Sequence, residues 1–280
     1  MQGQDIIYRT ARQPVTQSGK LLLNPAKDLP LLLLVRDSTF ISRQQIELLM
    51  VGRTTEVVYR SRNRRLAHLA DINQIQLYPQ CFPYPGRIFG ITHAGIDTLQ
   101  LAGMGILSVS SDTETLADAG QVSHFIGLNQ IEIAARKAFD IRRWIGDRQL
   151  KSLNIAANRP TEKDYDSIAE IALAPDSNAV VHLGIEYERT VKSKERYAQI
   201  RKGLDAERQI KGLLYFVENE TMAVFLAKEV YSAAVPVGVV IVSQFQSKGL
   251  DSPIRVVQDR SVVRVSVSNF IESIRRVSLQ

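Results

Sequence analysis

The sequence predicts a mixed fold of class α/β (α+β), with one domain over residues 28–108 and a second over residues 120–280. Three observations predict it: closely spaced helical patterns in the first part, alternating strand patterns in the second, and a polar stretch, SSDTETLADAGQ, between them. With 280 residues, the chain is long enough for two modest cores. Its 45% hydrophobic and 23% charged residues are usual for a globular protein.

Composition removes several classes of function. The single cysteine, Cys81, excludes a disulfide framework and a multi-cysteine zinc site, which favours a reducing cytoplasm. The four histidines show no HExxH or His-x-His spacing, and no GxxxxGK[ST], GxGxxG or GxSxG motif is present. The longest apolar run, LPLLLLV, is far too short to span a bilayer, so we expect a cytoplasmic protein without a membrane partner. A net charge of +6 permits a nucleic-acid partner.

The first domain begins with three helical patterns. The first starts near Leu29 and breaks at Ser38-Thr39-Phe40, and the second follows Ser42, which forms a capping box with the glutamine three residues on. The third is expected from Thr54-Thr55 to Ala70. Two strand patterns, INQIQLYP and GRIFGIT, flank a proline-rich tip, and Thr92 is an N-cap for a last helix. This order predicts a winged helix-turn-helix.

Arginines are concentrated at the third helix of this domain. Leu66 and Leu69 supply its core-facing stripe, so we expect the arginines on its exposed side, where they suit phosphates and guanine edges of double-stranded DNA. The alternative is a solvated basic face without a ligand. The predicted DNA-binding residues are Arg53, Arg60, Arg62, Arg64 and Arg65.

The second domain predicts a helix over VSHFIGLNQIEIAARKAFDIRRWI and a strand over LKSLNIAA. A hairpin of YDSIAEIAL and NAVVHLGIEYE follows, turning at Pro175-Asp176-Ser177-Asn178, and then a helix over TVKSKERYAQIRKGL and a buried strand over IKGLLYFVE. This is the element order of the restriction-endonuclease-like PD-(D/E)xK fold. The remainder predicts strands and a terminal helix, and the valines at 262–267 indicate a sheet edge or partner interface, although ordinary core is commoner.

The stretch GIEYERTVKSKERYAQI contains the candidate chemistry. Glu186 and Glu188 share one side of a strand and Tyr187 lies on the other, an arrangement that is costly unless a cation compensates the charges or the strand has reached solvent. In the PD-(D/E)xK fold, an aspartate near the start of the second strand joins such acids around Mg²⁺ or Mn²⁺, and here it would be Asp166. Glu188 stands where the motif has lysine; the nearest lysines are Lys192 and Lys194.

The predicted winged helix, the segment VSHFIGLNQIEIA, the later tryptophan, YDSIAEIA, IEYERTVKSKERYAQI and GLLYFV together resemble the replication-relaxation family, which is similar to the MOB-C class of plasmid mobilisation relaxases. The resemblance covers roughly residues 30–230. It implies recognition of a transfer origin in double-stranded DNA, metal-dependent nicking of one strand, and delivery of that strand to a conjugative coupling protein, with a homodimer as a further expected assembly.

By position, the resemblance makes Asp166, Glu186 and Glu188 the metal ligands, and Lys192 or Lys194 their basic partner. His124 and Glu132 fall on the helix that often lends an extra acid in nuclease-like folds, and we interpret His124 as a packing or capping residue.

Most relaxases attack with tyrosine. Tyr187 faces away from the glutamates and Tyr197 is expected to pack, so a metal-bound water is the expected nucleophile. Two other functions stay open. One is a catalytically inert winged-helix protein that regulates plasmid replication or transfer, and the other is an endonuclease that cuts both strands.

Overall fold

The computed structural model describes residues 23–50, 59–78, 86–105, 119–156, 161, 164–174, 177–232, 234–258 and 261–278. They form a mixed α and β architecture, as predicted, in two compact units that meet at the Ala119–Gly120 bond. No helix in these ranges is long and apolar enough to cross a membrane.

The first unit alternates helices with a small antiparallel sheet of strand order β1-β3-β2. Its elements are α1 (Pro25–Ser38), β1 (Ile41–Ser42), α2 (Arg43–Met50), α3 (Tyr59–Asp71), β2 (Ile75–Tyr78), β3 (Ile88–Ile91) and α4 (His93–Leu101). The four helices and the strands β2 and β3 follow the order expected from the sequence, whereas β1, between α1 and α2, was not predicted. The expected start of the third helix at Thr54-Thr55 and most of the proline-rich tip lie outside the described residues.

Local hydrogen bonds confirm the predicted helix starts. The Gln45 N–H donates to Ser42 Oγ at 3.2 Å and the Ser42 N–H donates to Gln45 Oε1 at 3.1 Å, which is a reciprocal capping box. The Gly95 N–H donates to Thr92 Oγ1 at 3.1 Å at the start of α4. Leu66 and Leu69 of α3 are buried, as expected.

The second unit is a seven-stranded sheet of order β10-β9-β8-β7-β6-β5-β4. Its strands are β4 (Ile141–Gly146), β5 (Ser167–Ala172), β6 (Val180–Glu188), β7 (Gly212–Val217), β8 (Val237–Ile241), β9 (Pro253–Gln258) and β10 (Ser261–Ser266). Its helices are α5 (Ala119–Ala138), α6 (Asp147–Ala156), α7 (Lys194–Ala206), α8 (Glu220–Glu229), α9 (Val242–Lys248) and α10 (Val267–Ser278). β6, β7 and β8 are parallel, and the other neighbouring pairs are antiparallel.

Helices cover both faces of this sheet, so its central strands are buried on both sides. On one face, Leu150 of α6, Ile200 of α7 and Leu226 of α8 pack against residues such as Val217 and Val239. On the other, α5, α9 and α10 pack against alternate positions of the same strands; the contributors include Leu128, Ile131, Leu214, Phe216, Phe245 and Ile271. The two faces thereby separate alternate residues of β6 into different surroundings.

The structure corrects two elements between residues 139 and 156. The predicted long helix ends at Ala138, and residues Ile141–Gly146 form β4, which pairs with β5 through a register irregularity. The predicted strand over LKSLNIAA is also wrong, because residues 150–156 of this stretch are helical and belong to α6. Leu150, Ser152 and Asn154 are buried while Lys151 and Leu153 are exposed, so burial alternates along this helix and its pattern resembled that of a strand.

The expected hairpin, the helix before β7, β7 itself and the terminal helix are confirmed, whereas α8 and α9 were not predicted. β5 and β6 form an antiparallel hairpin, although Pro175 and Asp176 of its turn lie outside the described residues. α7 starts after Ser193, and every residue of β7 is buried. β10 is an edge strand of the sheet, and Val267 begins α10 instead of continuing the strand.

Candidate functional site

The two glutamates of β6 are buried instead of reaching solvent. Glu186 is 7% and Glu188 4% exposed, whereas Tyr187 between them packs on the opposite face of the sheet. A buried carboxylate needs a counter-charge or hydrogen bonds, because its transfer from water is otherwise strongly unfavourable. The explanation that the strand simply ends in water is therefore wrong.

Asp166 immediately precedes β5 and lies next to the glutamates of β6. Ser167 is paired with Ile185, so the next position places Asp166 beside Glu186. The Tyr187 N–H donates to Asp166 Oδ2 at 2.7 Å. The structure therefore brings together the aspartate and the strand of the two glutamates, as the sequence predicts.

Lys192 provides the nearby cation. Its Nζ lies 2.5 Å from Glu188 Oε2, across the turn that follows β6. Burial alone would lower the pKa of Lys192, but the hydrogen bond and negative charge of Glu188, together with the charge of Glu186, raise it. Lys194 is the first residue of α7 and is exposed. Of the two predicted lysines, the structure places Lys192 at the carboxylates.

Three buried tyrosines surround the same carboxylates. The Tyr165 hydroxyl donates to Glu207 Oε2 at 3.1 Å, and the Tyr197 hydroxyl accepts from the Lys192 N–H at 2.9 Å. Burial raises the pKa of both tyrosines. Each phenol therefore stays protonated at neutral pH and has a structural role.

Tyr215 is different, because its fully buried hydroxyl has no hydrogen-bond partner among the described residues. Tyr215 is the register partner of Glu186 on β7, and the two side chains lie on one face of the sheet. Burial and then the charges of Glu186 and Glu188 raise its pKa well above the ordinary value, with a smaller effect from Asp166. The negative charges of all three predicted acids therefore act on this hydroxyl, and a buried donor of this kind is usually satisfied by a hydrogen-bond acceptor.

His124 of α5 is at this site, which the sequence analysis did not expect. Its Nε2 lies 3.3 Å from Asp166 Oδ1, and its ring stacks on Tyr187 with a centroid distance of 5.5 Å. The stacking agrees with the expected packing role of His124, and the contact with Asp166 gives this residue a second role. No local pattern predicts this contact, because it depends on how α5 packs on the sheet. Glu132, further along α5, pairs with Arg136 at 2.8 Å.

Two further acids lie close to Asp166. Asp147 at the start of α6 bonds Lys151 at 2.9 Å, and Asp164 accepts from the Asn154 side chain at 2.9 Å. Burial raises the pKa of Asp147, the Lys151 ammonium opposes this, and the charges of Asp166 and Asp164 add to the rise. The sequence analysis missed Asp147 because residues near it were assigned to the wrong elements.

The carboxylates agree in chemical type with the predicted Mg²⁺ or Mn²⁺, which bind oxygen ligands. Among the described residues, no group of three or more His, Cys, Asp or Glu side chains is arranged to hold one ion. Magnesium commonly uses only one or two carboxylates together with substrate phosphates and water. Asp166 and Glu186, with the Tyr215 hydroxyl beside them, are thus compatible with such a site, while Glu188 is held by Lys192.

The predicted DNA-binding arginines differ in their surroundings. Arg62 is buried and donates to the Glu47 carbonyl at 3.5 Å, so the expectation that it lies on the exposed side of α3 is wrong. Arg65 donates through Nε to the fully buried Asp28 at 2.7 Å and ties α3 to α1. Arg64 is exposed. Arg53 and the side chain of Arg60 lie outside the described part of the chain.

The arginines turned inward have a physical explanation. α3 packs with its Leu66 and Leu69 stripe toward the core, and Arg62 and Arg65 each lie four residues before one of these leucines, on the same helix surface. They therefore border the core, where Arg62 donates to a carbonyl and Arg65 to a buried carboxylate.

Comparison of the chain with protein-family models, with curated proteins and with solved structures finds no match.

Proposed function

We propose that this protein is a plasmid mobilisation relaxase, a metal-dependent endonuclease that nicks one strand of duplex DNA at a transfer origin. The observation that supports this proposal most directly is that Asp166 lies beside the buried acids of β6. The Tyr187 N–H, between these acids, donates to Asp166 at 2.7 Å. Acids of one charge gathered in a fold interior indicate a function that uses a cation.

The order of elements supports the two domains of this proposal. In the second unit, α5, β4, β5, β6, α7 and β7 follow the helix-strand-hairpin-helix-strand order of the PD-(D/E)xK core, with α6 inserted after the first strand. β4, β5 and β6 are antiparallel, and β7 is parallel to β6. In the first unit, three helices, a hairpin of β2 and β3, and α4 follow the order of a winged helix-turn-helix.

We assign Asp166 and Glu186 as the residues that would hold Mg²⁺ or Mn²⁺. When bound, the ion supplies Lewis-acid polarisation of the phosphate and a water of lowered pKa. The protein contributes orientation: the Tyr187 N–H and His124 fix the Asp166 carboxylate from two sides. Lys192 forms an ion pair with Glu188, so the charge of this acid is balanced within the protein.

A water nucleophile is favoured over tyrosine by the burial of the nearby phenols. Tyr165, Tyr197 and Tyr215 are at most 1% exposed, and burial raises the pKa of each. Tyr187 faces the other side of the sheet and donates its hydroxyl to Glu218. None of these four can approach a DNA phosphate without rearrangement of the core, so the proposed nick is hydrolytic.

The test is a nicking assay with supercoiled plasmid that carries the DNA flanking the gene, in Mg²⁺ or Mn²⁺. The wild-type protein should produce open circles, while Asp166→Asn and Glu186→Gln should not. Glu170→Gln is the matched control, because this acid lies on β5 but pairs with His182 instead of joining the site. Open circles from all four proteins would refute the assigned site, and linear products would favour an enzyme that cuts both strands.

A catalytically inert DNA-binding protein is the second candidate. It is favoured by the Lys192–Glu188 pair, which already compensates one acid, and by the lack of a three-ligand group among the described residues. In this case, plasmid DNA would be retarded equally by wild type and Asp166→Asn, without nicking by either.

A further inference from the structure

We infer that a groove in the first unit binds a backbone phosphate of duplex DNA between Arg43 and Arg87. This inference rests on the proposed DNA-binding function. It assigns a DNA contact to two arginines that the helical pattern of α3 did not predict. The groove lies where β1 passes into α2 and where β3 begins. A cavity of about 460 Å³ opens there, and its described lining residues are Ser42, Arg43, Gln44, Glu47, Gly86 and Arg87.

The same two arginines line a second cavity of about 60 Å³. Its other described lining residues come from α3, β2 and β3, namely Asn63, Leu66, Ala67, Ala70, Leu77 and Phe89. Arg43 and Arg87 therefore stand where the two cavities meet, and the groove continues from the start of α2 to α3. Small side chains such as Ala67 and Ala70 leave space for a backbone to approach this part of α3.

Backbone pairing between β1 and β3 holds Arg43 and Arg87 side by side. The Arg43 N–H donates to the Arg87 carbonyl at 3.1 Å, and next to it Ser42 of β1 pairs with Ile88 of β3. The capping box of Ser42 and Gln45 fixes the start of α2 at the same place. Little backbone rearrangement is then needed to present both guanidinium groups to a ligand.

The charges of the groove favour an anion. Arg43 contacts Glu47 at 3.2 Å, but about half of the Arg43 side chain is exposed. Glu47 is the one acidic side chain among the described residues that line the two cavities, so the two arginines exceed it by one positive charge. Guanidinium groups bind phosphate oxygens through paired hydrogen bonds, and the neighbouring Ser42 and Gln44 offer uncharged polar groups. A phosphodiester matches this set in charge and geometry.

The test measures binding of a fluorescently labelled duplex from the flanking DNA across a range of salt concentrations. Arg43→Gln and Arg87→Gln should each weaken binding about three- to tenfold on every duplex sequence. Each should also reduce the slope of log affinity against log salt by about 1, the value for one lost phosphate contact. Arg87→Lys should keep the slope and bind more weakly than wild type, because it keeps the charge and loses the paired donors.

Lys27→Gln is the matched control, since Lys27 is an exposed cation of the same unit that lines neither cavity. Thermal melting of each variant checks that it folds. Wild-type affinity and slope in both arginine variants would overturn the groove while leaving DNA binding intact. Absence of duplex binding by the wild-type protein at low salt would overturn both the groove and the proposed function.

Discussion

The ammonium nitrogen of Lys192 lies 2.5 Å from Oε2 of Glu188, four residues earlier, and this contact lets β6 end in a buried acid. Glu188 is 4% exposed, so its charge could not be solvated by water alone. The pair explains how the fold accommodates a glutamate at the position where the predicted motif has lysine: the lysine comes from four residues later and approaches from the following turn.

Lys192→Met should lower the free energy of unfolding by about 2 kcal/mol, because it leaves Glu188 buried without its cation. This value lies below that of a fully buried pair because the Lys192 side chain is 40% exposed. Urea denaturation at pH 7 measures the change. The double variant Lys192→Met/Glu188→Gln should recover most of the loss. Equal stability of the single variant and wild type would show that another group compensates Glu188.

Tyr215→Phe should leave stability unchanged or raise it by about 1 kcal/mol, because it removes a buried hydroxyl without a hydrogen-bond partner in the part of the chain that the structure describes. The same variant should weaken metal-dependent nicking if the hydroxyl borders the metal site. Tyr197→Phe is the comparison, since its hydroxyl accepts the Lys192 N–H and its loss should destabilise the fold by about 1 kcal/mol. A marked destabilisation by Tyr215→Phe in urea denaturation would contradict this assignment.

Gly127→Ala should destabilise the protein by about 2 kcal/mol, although alanine is the better helix former. A Cβ at Gly127 of α5 would overlap the ring of Tyr187, which also stacks on His124. Thermal or urea unfolding measures the effect, and Tyr187→Leu in the same chain should reduce it by removing the ring. A stabilising Gly127→Ala would show that the ring is free to move aside.

The pair of Glu170 and His182 should make stability depend on pH in the acid range. Nε2 of His182 lies 3.7 Å from Glu170 Oε1, and the interaction with His182, together with the positive charge of Arg143, lowers the pKa of Glu170 below its ordinary 4.5. A carboxyl with a lowered pKa stabilises the fold above its unfolded pKa, and this contribution is lost as pH falls through the folded value. Glu170→Gln should therefore cost up to about 1 kcal/mol at pH 6, and the cost should vanish toward pH 3. A cost that is constant with pH would exclude an ionic origin.

Neighbouring arginines of α3 should separate into structural and DNA-binding residues. Arg65→Gln leaves the fully buried Asp28 without its cation and should lower the free energy of unfolding by about 3 kcal/mol. Arg64→Gln changes an exposed residue and should alter stability by less than about 0.5 kcal/mol while reducing duplex affinity. Equal effects of the two variants on stability would contradict this division.

Much of the local structure could be predicted because its cause lies within a few residues. The Ser42–Gln45 capping box and the Thr92 cap each depend on hydrogen bonds between residues three apart. The β5–β6 hairpin follows from two strand patterns separated by a turn signal. Strand alternation alone assigned Glu186 and Glu188 to one face and Tyr187 to the other.

Only the tertiary structure decided which residues meet. Residues 141–156 carry apolar spacing compatible with helix or strand, and their packing against β5 and the core determined the outcome. His124 reaches Asp166 across 42 positions of sequence because α5 lies over the end of β6. Arg62 and Arg65 turn inward because Arg62 donates to a backbone carbonyl and Arg65 donates to a buried aspartate. Such contacts join distant segments, and their geometry arises from register and packing that no local pattern encodes.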